Sequence, residues 1–185
     1  MKQLDNFDFI SRLNHWLVGL GFIGLIAFGF YIANVEFAPG TKGPYMMYHK
    51  SLGVLFLAFA SWRVLWRIFQ GFPNPASDLK TWEHILAKVT HWLLLLSLLI
   101  MPISGIVMNL FSGRDLAVFN WFTIPGLNKS EGIAGAANFM HHNAPYLISA
   151  LILLHVIAAL KHHFIDKDAT LTRMIKGNRP KEETA

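Results

Sequence analysis

The run HWLLLLSLLIMPISG at residues 91–105 decides the class of this chain. It carries no Asp, Glu, Lys or Arg and stays apolar to Phe111, which is about the 20 residues that a helix needs to cross a bilayer. Three other stretches share this character: residues 13–35, 49–69 and 146–164, the last running through LISALILLHVIAAL. Arg63 and Arg67 stand near one end of the second stretch, where long side chains reach the interface. Composition agrees, with 54% hydrophobic and 15% charged residues in 185 and a mean hydropathy of +0.40. A soluble domain carries about 25% charged residues, and so few polar groups cannot coat a globule of this size. A disordered chain and a collagen-like fibre are excluded. The lack of cysteine excludes a disulfide scaffold, iron–sulfur clusters and thiolate-ligated haem. The expected fold is all-α: an integral membrane four-helix bundle over residues 1–176, followed by a polar tail at 177–185.

Charge sets the expected orientation. Of the 16 lysines and arginines, only Lys42, Lys50, Arg114 and Lys129 fall on the side holding the first and third connections. The positive-inside rule then puts the opposite side, with both termini, in the cytoplasm. In a bacterial inner membrane the sparsely charged side faces the periplasm. The net charge of +5 therefore reflects basic cytoplasmic segments and not a nucleic-acid partner. The first span is too long for a cleavable signal peptide, and no small-residue cleavage site follows it. Residues 71–80 (GFPNPASDLK) read as a proline-punctuated loop. Residues 112–140, with Gly113, Gly126, Gly132, Gly135, Trp121 and Phe122, read as the longest loop, lying as a short lid or interfacial segment. Pro145 is expected in the first turn of the fourth span.

Nine histidines are the chemical signal. One membrane histidine is ordinarily a hydrogen-bonded packing residue or an interfacial anchor, but several at span ends and interiors point to function. His141 and His155 are fourteen residues apart, a rise of about 21 Å that returns to nearly the same helix face. His162 continues that stripe, whereas His142 and His155 lie on roughly opposite faces. By depth His49 is level with His141. His15, His91 and His155 gather near the other end. Two histidine levels, each offering imidazoles from different helices, are what bis-histidine ligation of b-type haem requires. Zinc or copper would want three or four ligands within a few ångströms, and no acidic residue sits within the spans. Glycines in these helices, among them Gly29 and Gly105, permit a close approach by a macrocycle or a neighbouring helix.

The pattern resembles the bacterial cytochrome b-561 family, four-helix di-haem cytochromes related to the cytochrome b subunits of nickel hydrogenases and formate dehydrogenases. The resemblance covers about residues 8 to 176. It rests on RLNHWL at 12–17, YHKSLGVL at 48–55, WRVLWR at 62–67, HWLLLLSLLIMPISG at 91–105, FMHH at 139–142, LLHVIAALKHHF at 153–164 and DATLTRM at 168–174. It implies two haem b groups, with His15 and His155 holding the cytoplasmic-side iron and His49 and His141 the periplasmic-side iron. His142 competes with His141, and helical phase favours His141. His91 competes with His155, and the stripe shared with His141 favours His155.

The resemblance further implies an oxidoreductase that takes electrons from superoxide at the periplasmic side and gives them to ubiquinone. Lys42, Lys50, Arg114 and Lys129 are placed to attract a small anion. Arg63, Arg67, Lys80, His91 and His162 are the candidates for a quinone headgroup pocket; a histidine suits proton delivery there. The alternative is a haem-bearing membrane anchor that conducts electrons for a dehydrogenase- or hydrogenase-like partner protein. Short connections favour a stand-alone cytochrome.

Overall fold

The computed structural model describes residues 7–77 and 80–177. The polar tail expected at 177–185 lies outside them, apart from Gly177. Four long helices, each apolar enough to cross a membrane, make up the body: α1 (Phe9–Asn34), α2 (Lys42–Gln70), α3 (Thr81–Leu110) and α4 (Glu131–Phe164). A hairpin of β1 (Leu116–Val118) and β2 (Phe122–Ile124) joins α3 to α4, and a short α5 (Thr170–Ile175) follows.

The long helices form because a bilayer leaves the backbone no partner except itself. Their outward faces stay apolar: Leu13, Leu17, Leu20, Leu96, Leu153 and Ile157 are all exposed, as lipid contact demands. Local chemistry sets the ends. Asp8 caps α1 by accepting from the Ser11 N–H at 2.6 Å. Gly71 ends α2 at φ 72° and ψ −173°, a positive-φ conformation open to glycine for want of a β-carbon. The Lys80 N–H donates to Glu83 at 3.1 Å and opens α3.

Two expectations need correction. Residues 131–140 are not loop, because α4 begins at Glu131. Pro145 consequently lies well inside α4 and not in its first turn. The stretch between is rich in alanine, and Glu131 sits favourably at the positive helix N-terminus, so two glycines do not break it. Proline deep in a membrane helix is tolerated because neighbouring groups can satisfy the freed backbone. Of the lid expected over 112–140, the part before α4 is built around the β1–β2 hairpin. Its Leu116 and Val118 are buried, and the Phe119 N–H donates to Ser51 Oγ on α2 at 2.7 Å.

Close approach runs from α1 to α2, α2 to α3 and α3 to α4; among the described residues α4 meets α1 and α2 only marginally. A narrow core of Val18, Phe22, Ile26, Phe56, Ala60, Leu95, Leu98, Met101 and Ile148 fills the middle. At the end away from the hairpin α5 folds back across α1. There Trp16 Nε1 donates to Met174 O at 3.0 Å and Arg12 to Ile175 O at 3.2 Å.

Candidate functional site

Each long helix carries three inward residues spaced by seven: His15, Phe22 and Gly29 on α1; His49, Phe56 and Arg63 on α2; His91, Leu98 and Gly105 on α3; His141, Ile148 and His155 on α4. Seven residues are nearly two turns, or about 10.5 Å of rise. The triplets therefore build layers. The middle layer is the hydrophobic set Phe22, Phe56, Leu98 and Ile148, all buried, with Phe22 and Phe56 stacked at 5.6 Å. The outer tier, at the hairpin end, and the inner tier, at the α5 end, hold the histidines.

In the outer tier His49 faces His141 with ring centroids 6.2 Å apart. Both rings lie against glycine. A β-carbon on Gly29 would meet His49 Cε1 at 3.2 Å, and one on Gly105 would meet His141 Cε1 at 2.9 Å. His141 Nδ1 is 3.0 Å from Met101 O, a pure acceptor, so Nδ1 carries the proton and Nε2 keeps its lone pair. Ser104 Oγ donates to the same carbonyl at 2.9 Å and lies 3.1 Å from His141 Nδ1. His49 Nδ1 is buried without a hydrogen bond. His142 is exposed and turned to its own helix, with Nδ1 3.0 Å from Asn138 O.

In the inner tier His15 faces His155 with centroids again 6.2 Å apart. His91 comes to 5.4 Å from His155 and stacks on Phe72 at 5.5 Å. Arg63 lies among these rings. Its Nη2 is 3.1 Å from His15 Nδ1, and its Nη1 donates to Asn14 Oδ1 at 3.3 Å and to Ser11 O at 3.4 Å.

The five residues expected at a headgroup pocket divide. Arg67 is buried between Phe7 and Phe72, donates to Gly71 O, and leaves Nε and Nη2 without a hydrogen bond. With His91 and Phe72 it forms one group beside the inner tier. Arg63 belongs to the histidine tier itself. Lys80 is exposed at the start of α3. His162 turns to the rim, with Nδ1 2.9 Å from Asp166 and 3.0 Å from Asp168. Those ligand atoms lie within 4.8 Å of one another, but Lys161 and Ser77 already hydrogen-bond the two carboxylates, at 2.9 and 2.8 Å.

On the hairpin side Lys50 Nζ donates to Asn109 Oδ1 at 2.7 Å, and Asn109 Nδ2 donates to the carbonyls of Arg114 and Asp115. Lys129 pairs with Glu131 at 3.0 Å. Sequence reasoning missed the Met101 carbonyl, Asn14 and the Ser51 tether. Only the buried-polar residue types in otherwise apolar runs signal the last two.

The family model described as "Prokaryotic cytochrome b561" matches residues 6–177. "Cytochrome b561 homolog 2" of Escherichia coli (strain K12) is 32% identical over 172 residues, 92% of each chain. "Probable superoxide oxidase CybB" of Yersinia pestis is 31% identical over 171 residues, 89% of this chain and 93% of that protein. "Cytochrome b561 homolog 1" of Escherichia coli (strain K12) is 30% identical over 103 residues, 56% of each chain.

Proposed function

The chain belongs to the prokaryotic cytochrome b561 family of membrane electron-transfer proteins, and from that premise we propose that it holds two haem b groups and oxidises superoxide while reducing ubiquinone. Haem b binding follows from the family. The carrying observation is the pair of equal imidazole separations, 6.2 Å in each tier. Metal–imidazole bonds of about 2 Å on either side of one ion, plus the distance from nitrogen to ring centre, require roughly this spacing. The helices that bear each facing pair are also the ones the backbone leaves apart. Glycines stand where a β-carbon would crowd His49 and His141, so the residues fit the group.

Held between two histidines in each tier, haem b would supply a one-electron couple suited to outer-sphere electron transfer. His15 and His155 are assigned to the inner group, and His49 and His141 to the outer. The Met101 carbonyl orients His141 and makes it a better donor. Phe22, Phe56, Leu98 and Ile148 exclude water between the tiers. We place the protein in the inner membrane with both termini cytoplasmic, which puts the outer tier near the periplasm.

One relative, from Yersinia pestis, bears the name "Probable superoxide oxidase CybB". In this reading superoxide loses one electron at the periplasmic face and leaves as dioxygen, drawn there by Lys50 and Arg114. Two such electrons and two cytoplasmic protons convert ubiquinone to ubiquinol. The His91, Phe72 and Arg67 group is assigned to the quinone headgroup: Phe72 offers an apolar plane, Arg67 unsatisfied donors, and His91 a proton-carrying ring. Purified protein is expected to show a b-type reduced-minus-oxidised spectrum with about two haems per chain. Stopped-flow mixing of superoxide with ubiquinone should then show catalysed quinol formation. Haem without acceleration would mean an electron conduit for another protein and would sink the superoxide assignment.

A further inference from the structure

The two tiers are alike in their facing histidines and unlike in everything else at the same level. In the outer tier the α1 and α3 positions are Gly29 and Gly105, which add no charge. In the inner tier the α2 and α3 positions are Arg63 and His91. Arg63 stands fourteen residues after His49, as His155 stands fourteen after His141. The inner level of α2 thus carries a cation where the outer level carries an imidazole.

The groups beside the two facing rings also differ in charge. His141 gives its Nδ1 proton to the neutral Met101 carbonyl, 3.0 Å away, which pushes electron density onto the ring. A guanidinium is a donor only and stays charged at any physiological pH. With Nη2 3.1 Å from His15 Nδ1, the Arg63 guanidinium sets a positive charge beside that ring. Arg63 is 9% exposed, and Ser11 O and Asn14 Oδ1 fix its other nitrogen, so the charge is held in place and poorly screened by water.

We propose that Arg63 is a positioning residue that makes the inner haem the more easily reduced of the two, and so gives electron transfer across the membrane an inward direction. The inference rests on the two-haem reading above. A fixed positive charge beside a redox centre stabilises the state with one electron more, by Coulomb's law. Between the tiers one electron changes place, and no bond is made or broken. The outer tier has the opposite bias, because its ring donates to a carbonyl.

The test is a spectroelectrochemical titration of the purified holoprotein. The wild type should resolve two midpoint potentials. His49→Ala, which removes the outer ligand set, should retain the higher of them. Arg63→Gln should lower the inner potential and narrow or reverse the gap, leaving the outer one unmoved. Arg63→Lys, which keeps the charge, should restore most of the gap. An unchanged gap in Arg63→Gln with both haems bound would overturn the proposal. If Arg63→Gln loses the inner haem, the His49→Ala result decides: retention of the lower component would overturn it. A wild type with two haems of equal potential sinks this inference alone. A wild type without haem sinks the reading it rests on.

Discussion

Gly105 faces His141 so closely that a β-carbon there would sit 2.9 Å from the ring's Cε1. The obstructing atom belongs to an imidazole held at Nδ1 by Met101 O, so it cannot swing aside freely. Gly105→Ala is therefore expected to displace His141 and remove the outer haem, cutting bound haem to about half. Gly19→Ala, whose β-carbon meets nothing within 4 Å, should leave haem content unchanged. The pyridine haemochrome ratio of haem to protein reads both. Full occupancy in Gly105→Ala would refute the placing of His141 as an iron ligand.

His155 has two imidazoles within reach, His15 at 6.2 Å and His91 at 5.4 Å. Only the first distance equals that of the outer pair, and His91 stacks on Phe72. His15→Ala should consequently lose one haem of two, and His91→Ala should keep both. A haem count halved in His91→Ala and intact in His15→Ala would transfer the ligand role to His91. If His91→Ala keeps both haems but slows quinol formation several-fold, its place at the headgroup gains support.

The membrane bundle was legible because apolar length is a property of each segment alone. The stripe of His141 and His155 was legible for a similar reason, since helical phase depends only on residue number. What could not be read was contact between helices. Arg63 looked like one of several cytoplasmic-end cations, and only the packing of α1 on α2 sets it against His15. The start of α4 was misread because Gly132 and Gly135 signal a turn in isolation, whereas alanines and Glu131 keep the helix intact. The hairpin was missed although Leu116, Val118 and Ile124 alternate with exposed residues; three-residue strands are too short for that period to stand out.

Ser51 is fully buried on α2, and its Oγ accepts the Phe119 N–H of the hairpin at 2.7 Å. Ser51→Ala would leave that N–H without its partner in the packed junction. The cost of an unsatisfied buried donor is about 1 to 3 kcal/mol. The variant should melt at a lower temperature, and the amides of residues 116–124 should exchange with deuterium faster than in the wild type. Unaltered exchange in the hairpin would mean that Leu116 and Val118 alone hold it down.

The rim below the inner tier predicts an acid-sensitive closure. Burial by itself pushes the Asp168 carboxyl up, but hydrogen bonds from Thr170 and Ser77, helped by His162, outweigh it and hold the group below the ordinary aspartate range. A carboxylate more acidic in the folded than in the unfolded state binds fewer protons when folded. Its stabilisation is therefore complete above the unfolded value, near ~3.9, and is lost as pH falls through the folded one. Asp168→Asn should destabilise the protein at neutral pH by a margin that is constant above about pH 5. The margin should shrink as both proteins are taken below about pH 4. Melting curves of the two proteins across that range measure it. A margin that stays undiminished below about pH 4 would mean that these hydrogen bonds do not favour the ionised carboxylate.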